Sequence, residues 1–433
     1  MSHYKPYPVY KDSGIEWIGE VPEHWKLTRL KWLTELRTDR RNDSPEGYHY
    51  IGLEDIEPET GKLKPTGNNS RQSEESTVAV FFCGDVLYGK LRPYLRKAII
   101  SGQEGICSTE FLIIRPVSVS PQWLQHWLLT PDVTQQIETG CSGAKMPRTD
   151  WEHVSSIFMP NPDLTEQAII ISALDKQTAR IDALITKKTR FIELLKEKRQ
   201  ALITHAVTKG LDPNVKMKDS GVEWIGEVPE HWERRKLSHA FAKIGSGTTP
   251  PSDQPEWYSD DGIPWVTTGE LRESEITKTT KCVTQRALDQ FTTLRVYPKG
   301  SLAIAMYGAT IGRLGILGVA ATTNQACCVL SGGKSMTVRF VYYWLLVCKQ
   351  PIIEIFAAGG GQPNINQEII SGLRVPSPSI DEQDAIAECL DREVAHLDLI
   401  TEKTQRSIDL LRERRSALIT AAVTGKIDLR GSL

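Results

Sequence analysis

No run of apolar residues in this chain approaches the ~20 needed to cross a bilayer. The opening MSHYKPYPVYKDSG also lacks the apolar core of a secretory leader, so a cytoplasmic protein without a membrane partner is expected. Cysteine is scarce: there are eight in 433 residues, none at C-x-x-C spacing, with only Cys327 and Cys328 adjacent. That pattern argues against a disulfide frame or a thiolate metal site and predicts buried, reduced thiols. Net charge is only −2, which gives no overall attraction for a polyanion. Catalytic motifs are missing as well. There is no G-x-x-x-x-G-K-[ST] loop for a nucleoside triphosphate. There is no Asn-Pro-Pro-Tyr or Asp-Pro-Pro-Tyr element of the kind that holds a flipped base, and Asn161-Pro162-Asp163 reads as a turn before a helix. No E-x-K tripeptide occurs, which weakens a nuclease reading, and Gly245-Ser246-Gly247 is too short for a dinucleotide loop. His24 and His231 stand beside Trp25 and Trp232 and are expected to pack rather than react. The chain is expected to be non-catalytic and to bind no metal or cofactor itself.

What the chain does contain is a duplication. Lys11 to Trp25 reads KDSGIEWIGEVPEHW, and Lys218 to Trp232 repeats it with the single change Ile15 to Val222. A second matching pair, Gln167 to Asp212 and Gln383 to Asp428, is offset by 216 positions and closes on ALITHAVTKGLD and ALITAAVTGKID. The stretches between the repeats barely match. At 433 residues the chain exceeds a single core, and a repeated frame with varied inserts suits one scaffold carrying two different binding surfaces. Because joining the ends would recreate the middle junction, the two termini are expected to lie close together.

Each repeated tail predicts a long helix. Leu174, Ile181, Leu184, Ile192, Leu195 and Leu202 form one apolar stripe, and Leu390, Leu397, Ile400, Ile408, Leu411 and Leu418 repeat it 216 positions on. Lys188 and Thr404 interrupt the stripes. Thr or Asp before Glu166, and Ser or Asp at Glu382, supply start signals, while Gly210 and Gly425 supply the stops. Helices of some 40 residues would be about 60 Å long. With one narrow stripe each, they are expected to pair antiparallel as a coiled coil. The fold expected is therefore α+β: two similar mixed α/β domains joined by two long antiparallel helices in a pseudo-two-fold repeat. The boundaries expected are 1–163 for the first domain, 164–212 for the first helix, 213–379 for the second domain and 380–433 for the second helix and tail.

The first insert packs Tyr88, Lys90, Arg92, Tyr94, Arg96 and Lys97 into ten residues, and Lys145 and Arg148 add two cations. Cations neutralise phosphates, and arginine bonds guanine through two donors. The equivalent stretch of the second insert is polar and Gly-rich, with Tyr307, Thr310 and Arg313. Around it Thr248, Thr249, Thr267, Thr268, Asn324, Gln325, Gln362 and Asn364 offer hydroxyls and amides, the latter suited to adenine edges. These nineteen residues are the DNA-binding candidates. The first repeat tail, Asp175 to Asp212, is also locally basic, with nine Lys/Arg against five acids; its counterpart has seven of each.

These features resemble the specificity subunit of type I restriction-modification systems. The resemblance rests on G-x-E-W-I-G-E-V-P-E-H-W at Gly14 and Gly221, E-Q-x-x-I at Glu166 and Glu382, and R-x-A-L-I-T-x-A-V-T at Arg199 and Arg415. It rests further on G-D-V-L-Y-G-K-L-R-P-Y-L and I-C-S-T-E-F in the first insert, and on A-M-Y-G-A-T-I-G and T-N-Q-A-C in the second. It implies two target-recognition domains, each reading half of a split, asymmetric site in double-stranded DNA, with helical spacers that set the gap. It also implies partners: two methyltransferase subunits acting on adenine N6 with S-adenosylmethionine, and two restriction and translocation subunits that use ATP and Mg²⁺.

Overall fold

A computed structural model of the chain describes residues 5–42, 48–64, 77–222, 225–356 and 364–431. They form two compact units: 1–189 with 405–433, and 190–404. Among the described residues no helix is long and apolar enough to cross a membrane.

Both units open alike. In the first, the repeated box folds as a hairpin of Tyr10–Asp12 against Glu20–Pro22. In the second, Met217–Asp219 pairs with Glu227–Pro229. The box ends on Trp25 or Trp232, each fully buried. The next strand, Lys26–Arg29 or Glu233–Lys236, then pairs antiparallel with the strand that closes the insert, Phe158–Asn161 or Arg374–Ser377. Each insert thus begins and ends at one place, which is why its interior can vary without disturbing the frame. Trp17 is half-buried against the first core; Trp224 lies outside the described residues.

Each insert carries two sheets. One four-stranded sheet of the first unit is antiparallel in the order Thr34–Arg37, Phe111–Pro116, Val86–Gly89, Ala98–Ile100. In the second unit, Phe241–Ser246, Cys327–Gly333, Leu302–Ala305 and Leu314–Leu317 repeat that order, and Ser274–Ile276 joins in parallel as a fifth strand. The other sheet, four-stranded in both units, holds one parallel pair in each: His49–Ile51 with Gly105–Ser108, and Ile263–Val266 with Thr322–Thr323. The extra antiparallel strand lies beside the later member of that pair in the first unit and beside the earlier member in the second. Helices Pro121–Leu128 and Val338–Phe356 cover the first-named sheet of each unit, burying Trp123 and Trp127 in one unit, and Phe340 and Trp344 in the other.

The long helices run Leu164–Lys209, 46 residues, and Ile380–Val423, 44 residues, which makes each roughly 65–70 Å long at 1.5 Å per residue. Asp163 Oδ1 accepts the Glu166 N–H at 2.8 Å and Ser379 Oγ accepts the Glu382 N–H at 3.2 Å, so both starts are side-chain capped. Gly210 and Gly425, both left-handed at φ 77° and 76°, follow the ends. Each unit contains half of the helix pair. In the first, Leu174, Ile181 and Leu418 are buried together, and Arg415 Nε meets Asp182 Oδ1 at 3.0 Å. In the second, Leu390 and Val394 share the core with Ile203, and Arg199 Nε meets Asp398 Oδ1 at 3.2 Å. Residue 182 is opposite 415, and 199 is opposite 398: numbers rise on one helix as they fall on the other, so the pairing is antiparallel. The two ion pairs are the same contact shifted by 216 positions.

The seam differs from the expected stripe at Leu184, which is 48% exposed, while Ile185 packs inward. Alternating steps of four and three from Leu174 pass through Thr178, Ile181, Ile185, Lys188 and Ile192. A purely apolar count misses Thr178, which is buried because its hydroxyl returns a hydrogen bond to Leu174 O at 2.8 Å. Thr404, buried in the same way, bonds Ile400 O at 2.8 Å. The chain ends do approach one another: Asp428 N–H donates to Lys5 O at 2.8 Å, and the Arg430 guanidinium stacks 4.7 Å from the Tyr7 ring.

All eight cysteines are free. Cys107, Cys327, Cys328 and Cys348 are buried, and burial raises each thiol to about 12. Cys83 is exposed and the remaining three are half-buried, so uniform burial is corrected for these four.

Candidate nucleic-acid interface

In the first unit the candidates gather where strand Val86–Gly89 ends. Lys90 N–H donates to Glu110 O, Thr149 N–H to Lys90 O and Arg92 N–H to Pro147 O, all at 2.8–3.0 Å. These bonds draw three segments, 90–97, 108–110 and 142–149, into one surface. A short 3₁₀ turn, Pro93–Leu95, is flanked by Arg92 and Arg96, both left-handed at φ 53° and 46°. Holding two non-glycine residues there is unfavourable, and such strain is characteristic of functional loops.

The side chains divide into two groups. Tyr94 and Lys145 are exposed, Lys90 and Arg92 are half-buried, and Arg148 is exposed while bonding Glu110 Oε1 at 2.9 Å. The other group faces inward. Tyr88 is fully buried and is no DNA contact; its strand is covered on both sides, with Tyr88 on the helix-side core and Leu87 on the other. Arg96 pairs with Glu59 and donates to Leu129 O at 3.4 Å, leaving its side chain only 16% exposed. Lys97 Nζ donates to Leu53 O at 2.5 Å, and burial, with Lys64 nearby, lowers its pKa. Arg96 and Lys97 therefore brace the loop from beneath.

In the second unit the candidates also meet at one sheet end. Ser246 pairs with Cys328, Ala305 with Cys327 and Val266 with Thr323. The segments just beyond these positions, 247–249, 306–313, 324–326 and 267–268, are consequently neighbours. Met306 N–H donates to Ala326 O at 2.8 Å, and Tyr307 bridges to Asn364. A Cβ on Gly247 would stand 1.7 Å from Thr323 O, so glycine is required for this convergence.

Tyr307, Thr249, Gln325 and Asn364 are exposed; Thr248, Thr268, Thr310 and Arg313 are half-buried. Thr249 Oγ1 donates to Gln325 Oε1 at 2.5 Å, which orients the amide. Two candidates are bound up in local structure: Glu270 Oε2 accepts the Thr267 N–H at 2.7 Å, and Asn324 Oδ1 accepts the Ala326 N–H at 3.2 Å. Gln362 lies outside the described residues. Among the described residues no cluster of three or more His, Cys, Asp or Glu is placed to hold a metal ion.

A search for cations misses Glu110, an acid set among them, although it closes the I-C-S-T-E motif. It also misses the polar supports of the frame. Gln167 and Gln383 are fully buried; their Oε1 atoms accept Ser120 N–H at 2.9 Å and Thr337 N–H at 2.7 Å. The E-Q dipeptide at the start of each helix signals this twice.

Comparison with known proteins bears on the family and the fold. Residues 229–408 match the family described as the type I restriction modification DNA specificity domain. A chain named as the MjaX type I restriction enzyme specificity subunit of Methanocaldococcus jannaschii is 24% identical, covering 97% of this chain and 98% of its own. Among solved structures, a chain from work on complex assembly and conformational transition of the type I R-M system matches with a TM-score of 0.76 at 19% identity, covering 95% of this chain and 99% of that one. The HsdS subunit of Thermoanaerobacter tengcongensis matches with a TM-score of 0.55 at 19% identity, over 95% and 98%. At these identities the structural likeness establishes the fold.

Proposed function

We propose that this chain, which belongs to the type I restriction-modification specificity subunits, reads a bipartite DNA site, one half with each unit. The observation that carries this is the pair of loop sets at equivalent sheet ends. One is cationic around Lys90, Arg92 and Arg148; the other is built from hydroxyls and amides around Thr249, Gln325 and Tyr307. A common frame with different surfaces implies two unlike half-sites and a site that is not a palindrome. In this reading residues 1–163 and 213–379 are the target-recognition domains, and 164–212 and 380–433 are the spacers.

The chain makes and breaks no bond. It positions two methyltransferase subunits over the half-sites for transfer from S-adenosylmethionine to adenine N6. Restriction of unmethylated DNA belongs to two motor-nuclease subunits that consume ATP with Mg²⁺. The helices set the spacer between half-sites, and the cytoplasm is the compartment.

Exchanging residues 26–163 for the first insert of a related chain tests the reading. Mapping of adenine methylation should show a new first half-site with the second half and spacer retained. A change in both halves would overturn the assignment of one half-site to each unit.

A further inference from the structure

In the basic loop set of the first unit, one carboxylate stands where phosphate binding alone would disfavour it. Glu110 immediately precedes strand Phe111–Pro116, and its carbonyl is fixed by the Lys90 N–H at 2.9 Å. Its N–H donates to Ser108 Oγ at 3.2 Å. The side chain is about one quarter exposed: Oε1 takes the Arg148 Nη2 donor at 2.9 Å, and Oε2 is buried with no hydrogen-bond partner. Arg148 is itself held by paired backbone bonds to Ser142, 3.0 Å each way. A surface designed only to neutralise phosphates gains nothing from this acid, and an unmet carboxylate oxygen is costly for the fold.

We propose that Glu110 is a specificity-determining residue of the first half-site. Resting on the DNA-reading function above, it acts by fixing the exposed Arg148 guanidinium through Oε1. Arg148 so held presents its planar fork to O6 and N7 of a guanine in the major groove. A guanidinium held in one orientation favours guanine over adenine, because adenine N6–H would place donor against donor. The polar loop set of the second unit would read its half-site by separate contacts.

The test uses the full chain assembled with its methyltransferase subunits and selects bound sequences from a DNA library randomised over the whole site. Wild type, Glu110→Gln and Glu110→Ala are compared at one salt concentration. The expected result is that both variants relax one or two positions of the first half-site, with discrimination falling roughly 5- to 100-fold. Gln, which keeps an acceptor for Arg148, should retain more of the guanine preference than Ala. The second half-site is the internal control for folding and should be unchanged. A uniform change in affinity with base preferences intact in both halves would overturn the role of Glu110 while leaving the DNA-reading function standing. Failure of the wild-type assembly to enrich any bipartite sequence would overturn the function itself.

Discussion

His24 Nε2 lies 2.8 Å from Glu166 Oε2, tying the repeated box to the first turn of a long helix. The same contact recurs in the second unit, where His231 Nε2 lies 2.9 Å from Glu382 Oε2. The duplicated box is therefore a joint. Its tryptophan packs beneath the start of one long helix, and the glycine that ends the other closes over it: Gly425 near Trp25, and Gly210 near Trp232. The neighbouring glutamines, Gln167 and Gln383, fasten each helix start to the turn that begins the insert's own helix. Replacing Gln167 by Ala should leave the Ser120 N–H without its acceptor, at a cost of about 1–3 kcal/mol. Denaturant titration should show the loss, and Gln383→Ala should reproduce it in the other unit.

The two exit glycines predict unequal mutants. Ala at either must adopt the left-handed region, costing roughly 1–2 kcal/mol. A Cβ at Gly425 would also stand 2.3 Å from Pro22 Cδ, whereas at Gly210 the nearest atom is Trp232 Cζ2 at 3.3 Å. Gly425→Ala should therefore lower the unfolding midpoint more than Gly210→Ala. Equal shifts would mean that backbone conformation alone sets the requirement.

Much of this architecture is legible in the sequence, and the reason is repetition. A stripe such as Leu174, Ile181 and Ile192 predicts a helix; the same stripe 216 positions later predicts its partner, and a paired exit glycine predicts where both stop. Burial by tertiary contact is less legible. Tyr88, Arg96 and Lys97 share a composition with Lys90 and Arg92, yet a strand covered on both faces buries the first and contacts to Glu59, Leu129 and Leu53 draw the other two inward. Leu184 is exposed because Ile185 takes its place in the seam, and Thr178 can enter the seam because a threonine in a helix can satisfy its own hydroxyl. Glu110 escapes a search for cations because its meaning depends on Arg148, distant in sequence.

That division among the cations can be measured. Alanine at Arg92 or Lys145 should weaken DNA binding by the assembled complex and reduce the slope of log K against log salt by about 0.9 for each phosphate no longer neutralised. Alanine at Arg96 should lower stability, because Glu59 and the Leu129 carbonyl would be left without their partner, with a salt slope close to wild type. A reduced slope for Arg96→Ala would assign it to phosphate instead.

His126 makes the first unit sensitive to acid. Burial, and secondarily the Arg415 charge, push its pKa down to about 4, and its Nδ1 has no hydrogen-bond partner. Below the ordinary value near 6.5 the unfolded chain takes a proton that the folded chain refuses until about 4. The neutral histidine thus favours the fold fully above pH 6.5, and on the order of 3 kcal/mol is lost as pH falls through that window. Urea unfolding from pH 7 to 4 should fall less steeply for His126→Gln than for wild type; parallel curves would show that other groups govern the acid limb.

The helix pair makes the most far-reaching prediction. Asp182–Arg415 and Arg199–Asp398 are symmetry-like copies of one contact, so matched changes to both helices can preserve the seam while unmatched changes cannot. Removing residues 187–193 and 403–409, seven from each helix, 216 positions apart and facing one another across the pair, keeps the stripe in phase and shortens each by about 10 Å. At roughly 3.4 Å per base pair, the spacer in the methylated site should contract by about three base pairs, with both half-sites unchanged. The same deletion in one helix alone should break the pairing of apolar and ionic partners and abolish site recognition. A matched deletion that retains methylation at the original spacing would separate the helices from the measuring of distance and leave them only the task of joining the two units.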